Sequence, residues 1–252
     1  MIDVIAFDAD DTLWHTEIYY RQAEDRLTAL LAAYGVPSEQ TLAVLHRIEI
    51  ENLAFFGYGI RGFTLSMIEA AVSATDGRVR SADIQAIIEI GRAMTNHEIR
   101  LLDGVHEALS RLSGRRLMLV TKGDALDQES KLRRSGLAGY FALVEILVDK
   151  TQIAYAQMLA RYAISPSRFL MVGNSLRSDI APVLALGGYA VYVPYPLNWA
   201  HEAQADLPAD RSRFFEIASL HDLADLIENL DRAKGTAFSA HFGARPTPPE
   251  AG

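Results

Sequence analysis

The sequence predicts an α/β protein: a doubly wound parallel sheet, interrupted just after its first strand by an all-helical insertion. Three observations predict it. Five short apolar runs lie at residues 2–7, 116–121, 143–148, 169–173 and 189–193, nearly continuous rather than alternating, as in strands covered on both faces. Helical patterns separate the runs from about residue 101 to 230. Between residues 15 and 95 only helical periodicity remains.

In chain order, the first run ends in a polar cluster, DADDT, after Phe7. Tyr20, Ala23, Leu27, Leu30 and Tyr34 then share one helical face, up to a break at Gly35-Val36-Pro37-Ser38, with Ser38 as the expected N-cap of a second helix. That helix carries Leu42, Leu45, Glu49, Leu53 and Phe56. Gly57, Gly59 and Gly62 punctuate the chain before a third helix with Leu65, Ile68 and Val72. Asp83 is the expected cap of a fourth, with Ile84, Ile87, Ile88 and Met94. The core helices follow at 101–112, at 126–132 closed by Gly136, at 152–162 and at 179–185. The last, capped by Ser219, carries Leu220, Leu223, Ile227 and Leu230. The expected domains are an α/β core of residues 1–14 and 97–232, and a helical insertion of residues 15–96. Residues 233–252, ending FGARPTPPEAG, read as a flexible tail.

Composition narrows the function. The 252 residues suit one or two domains and half are apolar, enough for a sizeable core. A net charge of −8 excludes a dominantly basic nucleic-acid surface, and the pairs Arg115–Arg116 and Arg133–Arg134 lack an aromatic platform. With no cysteine, disulfides, thiolate catalysis and cysteine-held metals are excluded. The N-terminal segment lacks the basic and small-residue parts of a signal peptide, and the apolar runs are too short to cross a bilayer. A cytoplasmic protein without a membrane partner is expected.

The candidate site comes from strand ends. In an open α/β sheet, ligands bind beyond the carboxyl ends of the strands. Asp8, Asp10 and Asp11 follow the first strand, and three acids in four positions exceed what helix capping needs. Like charges so gathered are costly unless neutralised, and oxygen donors favour magnesium. The loop Gly173-Asn174-Ser175-Leu176-Arg177-Ser178-Asp179 places a further carboxylate beyond a second strand. Thr121 and Lys122 close a third, and Lys150 follows a fourth as a point charge for a phosphoryl group.

These residues resemble the haloacid dehalogenase-like hydrolase superfamily, in its phosphatase-like branch. IAFDADDTL is similar to the family's DxDxT motif at Asp8, Asp10 and Thr12; Thr121, Lys150 and the loop from Gly173 to Asp179 match the motifs that follow, in order. The resemblance implies a Rossmann-like core with a mobile helical cap. It implies Asp8 as nucleophile, forming an aspartyl-phosphate, and Asp10 as general acid and then base. Thr121 would bind the phosphoryl group, Lys150 would neutralise it, and Lys122 and Arg61 are further substrate-binding candidates. Mg2+ would be held by Asp8, the Asp10 carbonyl, Asp179 and Asn174. Asn174 departs from the family's Gly-Asp, and Asp11 stands where many relatives have glycine. The implied function is hydrolysis of a small phosphorylated metabolite. A 2-haloacid dehalogenase needs no leaving-group proton, so Asp10 favours phosphoryl transfer over that alternative; a non-catalytic binding protein is the third reading. Tyr58 and Phe63 are candidate pocket residues, and the cap's exposed aromatics are candidates for a homodimer contact.

Overall fold

The computed structural model describes residues 2–197, 199, 202 and 205–242, with side chains as far as residue 232. Six strands form one parallel sheet: β1 (Val4–Phe7), β2 (Arg116–Lys122), β3 (Leu143–Leu147), β4 (Phe169–Gly173), β5 (Tyr189–Tyr192) and β6 (Phe214–Glu216). Their order is β3-β2-β1-β4-β5-β6. The order reverses between β1 and β4, which opens a crevice at their carboxyl ends.

Alternate side chains of each strand serve opposite faces. Ile5 and Phe7 join Leu117, Leu119, Leu170 and Val172 on one face. They meet α5 (Val105–Arg111) and α9 (Leu223–Phe242) through Leu109, Leu223 and Ile227. Val4 and Ala6 join Met118, Val120, Phe169 and Met171 on the other, against α7 (Gln152–Arg161) and α8 (Ala181–Ala185) through Tyr155, Met158 and Val183. Burial on both faces is why these strands read as unbroken apolar runs. α6 (Ala125–Ser135) is capped by Asp124, whose side chain accepts from the Asp127 N–H, and ends at left-handed Gly136.

The insertion is four helices: α1 (Glu17–Ala32), α2 (Ser38–Phe56), α3 (Ile60–Ala74) and α4 (Ser81–Thr95). They enclose their own core of Leu27, Leu31, Leu45, Phe63, Met67 and Ile87. The chain leaves and returns side by side: Trp14 bridges Leu101, and the His15 N–H donates to the Arg100 carbonyl at 2.9 Å.

Several boundaries differ from expectation. Ser38 and Asp83 lie inside the first turns of α2 and α4, whose N-caps are Pro37 and Arg80. The glycine break covers only 57–59, because α3 already begins at Ile60 and contains Gly62. Asp179 does not open a helix: Leu176–Ile180 winds as a π-turn that runs into α8. Ser219 caps a short 3-10 turn, Leu220–Asp222, ahead of α9. β6 was not expected; it is a three-residue edge strand, half-buried. α9 continues ten residues beyond 232, and residues 243–252 of the expected tail lie outside the described residues.

Candidate active site

The crevice brings together four strand ends. Asp8 follows β1 and is pinned by its N–H donating to the Val172 carbonyl at 2.9 Å. Lys150, 3% exposed, sits below it. Its ammonium bonds Asp8 Oδ1 and lies 2.7 Å from Asp179 Oδ1. The other oxygen of Asp179 accepts from the Ser175 N–H at 3.0 Å, within the π-turn. The turn sets the carboxylate back against Gly173 at the end of β4, and π-turns are frequent at functional sites. Thr12 Oγ1 donates to Asp8 Oδ2 at 3.0 Å. Asp11 adopts a left-handed φ of 62°, and its carboxylate accepts from the Thr16 and Glu17 N–H groups. It anchors the start of α1, the work of a helix N-cap done from outside the helix.

Asp10 turns away from Asp8. Lys131 Nζ contacts its two oxygens at 2.8 and 2.9 Å, and Trp14 Nε1, Thr16 Oγ1 and Gln128 Nε2 each donate at 2.7 Å. Burial is the largest single influence and would push Asp10 up, but the Lys131 charge and the hydrogen bonds from Lys131, Thr16 and Gln128 together outweigh it, holding the carboxyl at about 2. Complete burial pushes Asp179 up, to about 7, against the pull of Lys150. Lys150 goes up: burial opposes the charge, but Asp179 and Asp8 overcome it.

Thr121, buried, and Lys122 line the same cavity, as do Tyr58 and Phe63 from the insertion. Lys122 is already engaged: it donates to Ser178 Oγ at 2.9 Å, pairs with Glu202, and lies 3.9 Å from the centre of the Tyr58 ring. Arg61 does not line the cavity. Its side chain is 66% exposed and pairs at 2.7 Å with Asp124 on the outer rim, tying α3 to α6. The loop carrying Tyr58 packs so closely on α6 that a Cβ at Gly59 would stand 3.3 Å from the Asp124 nitrogen.

Sequence reasoning missed Lys131, Gln128, Asp127 and Glu202, all on the cavity wall. The spacing Asp127/Lys131 reads as a solvated i,i+4 ion pair. Yet Lys131 is 1% exposed. Nothing in the periodicity of α6 shows which side of the helix faces the sheet end.

Gly173 has a measurable role. A Cβ there would lie 2.2 Å from Asp179 Oδ2. Gly173→Ala should displace Asp179 from Lys150 and cost about 2–4 kcal/mol, as other overpacked or charge-stranding changes do. Denaturant unfolding, compared with Gly139→Ala, where nothing crowds the Cβ, checks this.

The donors fit a hard divalent cation. The terminal amide group of Asn174 faces Thr12 Oγ1 at 3.1 Å and Asp8 Oδ2 and the Asp10 carbonyl at 3.2 Å each. With nitrogen turned toward them, the amide donates to all three. With oxygen turned toward them, three oxygens converge at about the ligand spacing of an octahedral magnesium site. Among the described residues, no group of three or more His, Asp or Glu side chains is gathered for a metal. The available set is therefore poor in charge: two carboxylates, one amide and one carbonyl, with Lys150 between the carboxylates.

The sheet order, the helical insertion after β1 and a buried carboxylate–lysine cluster at the switch point are those of a capped α/β hydrolase. The family model of haloacid dehalogenase-like hydrolases matches residues 2–187, and the chain belongs to that family. A haloacid dehalogenase-like family hydrolase from Xanthomonas campestris is 38% identical with a TM-score of 0.80, over 93% of this chain and 98% of that one. A 2-haloacid dehalogenase from Pseudomonas syringae pv. Tomato is 25% identical with a TM-score of 0.63, over 91% and 100%. The glyceraldehyde 3-phosphate phosphatase of Methanothermobacter thermautotrophicus is 25% identical over 91% of this chain and all of its own length.

Proposed function

We propose that the chain is a magnesium-dependent phosphoric monoester hydrolase for a small phosphorylated metabolite, working through an aspartyl-phosphate. The observation that carries this is the second carboxylate, Asp10, half-buried in the same cavity as the Asp8–Lys150 pair and supplied with its own cation, Lys131. Expelling a halide needs no such group; expelling an alkoxide does. The similarity to a phosphatase over its whole length supports the same reading.

Asp8 attacks phosphorus, the ester P–O bond breaks, and the leaving oxygen takes a proton. Water then attacks the phosphoryl phosphorus, the Asp8–phosphorus bond breaks, and inorganic phosphate leaves. Lys150 holds Asp8 in place and offsets charge on the transferring group; Thr121 offers a hydroxyl to it. Mg2+, held by Asp8, Asp179, the Asp10 carbonyl and the Asn174 oxygen, would supply charge for the phosphoryl oxygens. Asp10 at about 2 is a carboxylate at neutral pH. It can accept a proton from the water, but to donate one to the alkoxide it must first loosen from Lys131. The resting arrangement is thus a parked one, and substrate binding in the cavity must rearrange it.

A panel of phosphate monoesters, with Mg2+ or with chelator, tests the reading. Magnesium-dependent phosphate release is expected. Halide release from 2-haloacids, with no ester cleaved, would overturn it.

Asn174 makes a separate prediction. Asn174→Asp places a carboxylate against Asp8 Oδ2 and the Asp10 carbonyl, where an amide hydrogen can now point. In chelator the variant should lose about 2 kcal/mol, or about 4–8 °C in Tm for a chain of this size. With Mg2+ the loss should vanish, and calorimetry should show about tenfold tighter binding of the ion.

A further inference from the structure

We propose that the cap end of the cavity is a subsite for a cationic leaving group, so that the ester taken is an aminoalkyl or amino-sugar phosphate. This rests on the hydrolase reading for the reacting end alone.

Among the described residues, nine carboxylates line the cavity, against three lysines and no arginine or histidine. Each lysine is used: Lys150 by Asp8 and Asp179, Lys131 by Asp10 and Asp127, Lys122 by Glu202. Asp11 is occupied at the start of α1. That leaves Glu17, Glu24 and Glu49 on the cap wall. Arg21 bridges Glu17 and Glu24, and His46 meets Glu24 at 2.7 Å. Glu49 has no hydrogen-bond or ion-pair partner among the described residues. Across the cavity, Gln128 is 4% exposed and its Oε1 has no partner, although its Nε2 is on Asp10. Asp127 Oδ1 is likewise buried without a partner.

Glu49, Gln128 and Asp127 thus leave acceptors without a donor at this end, and the Tyr20 hydroxyl on the same wall is an open group that can donate as well as accept. Acceptors stranded in a buried wall are costly until a donor arrives. An ammonium brings three donors and the charge that Glu49 lacks. A carboxylate or second phosphate on the leaving group would face three carboxylates, with Arg21 and His46 already engaged by Glu17 and Glu24. Burial pushes both Glu17 and Glu49 up, to about 7, against the pull of Arg21 on Glu17 and of His46 on Glu49.

Non-hydrolysable phosphonates of matched length separate this from the hydrolase reading. Calorimetry on the full chain with Mg2+ would compare 2-aminoethylphosphonate, propylphosphonate and 2-carboxyethylphosphonate. The amine should bind about tenfold tighter than the propyl compound and about a hundredfold tighter than the carboxyl compound. Glu49→Gln should shrink the amine-to-propyl ratio about fivefold, and Glu49→Asp should restore part of it. Equal affinities, the reverse order, or a ratio unmoved in Glu49→Gln would overturn the subsite. If the order holds but no monoester is cleaved, the subsite stands and the hydrolase reading fails. If phosphate is released fastest from a carboxyl-bearing ester, the hydrolase reading stands and the subsite fails.

Discussion

Asp8→Asn should reduce turnover about ten-thousandfold or more, while the fold survives. The amide keeps the shape and can still accept from Thr12, and Lys150 keeps Asp179 as its partner. What disappears is the anionic oxygen that makes the bond to phosphorus. The size of the loss follows from its kind: a nucleophile cannot be approximated by its neighbours, because Asp179 is tied to Lys150 and the Ser175 N–H, and Asp10 faces Lys131. Rapid acid quench with a radiolabelled ester checks the chemistry directly. Wild-type protein should carry label that hydroxylamine removes, as it does from an acyl-phosphate, and Asp8→Asn should carry none. A melting curve within a few degrees of wild type would show that the lost label reflects chemistry. Label retained in Asp8→Asn would put the nucleophile elsewhere.

Much of this site could be read from the sequence, because parallel strands buried on both faces are written as unbroken apolar runs, and the residue after each run lies at the sheet's carboxyl edge. Asp8, Thr121, Lys150 and Asp179 were found that way, and the structure gathers them around one cavity. What escaped depends on packing rather than periodicity. β6 pairs only three residues at a sheet edge, too few for a pattern. The π-turn at Leu176–Ile180 adds one residue to a turn, which no spacing rule registers. Arg61 sits among glycines as a pocket residue would, and its guanidinium pairs with Asp124, a contact between α3 and the start of α6 that no local pattern announces. The acidic cap wall was also missed. Glu17 and Glu24 belong to α1 and Glu49 to α2, and only the packing of the two helices makes a charged surface of them.

Lys131→Met should have the second largest effect, on stability and on pH dependence together. Lys131 is completely enclosed and serves Asp10 and Asp127 at once. Methionine fills the space and leaves both carboxylates without their cation, which costs about 3–5 kcal/mol at neutral pH, as breaking a buried pair from one side does. The sign with pH follows from Asp10. In the wild type its folded value of about 2 lies below the unfolded 3.8, so its contribution is present above pH 3.8 and lost as pH falls through 2. Without the ammonium, burial raises the folded value above 3.8, and the same group then destabilises as pH rises through it. The gap between variant and wild type should therefore be small near pH 2, already open by pH 4, and widest near pH 7.5, read by urea unfolding at each pH. Catalysis should report the same change. A carboxyl freed from Lys131 can hold the proton that an alkoxide needs, so the acidic limb of kcat/KM should move to higher pH, and esters with poor leaving groups should lose least. If the stability gap were instead independent of pH, the ammonium would be serving packing alone, and Asp10 would not owe its low value to Lys131.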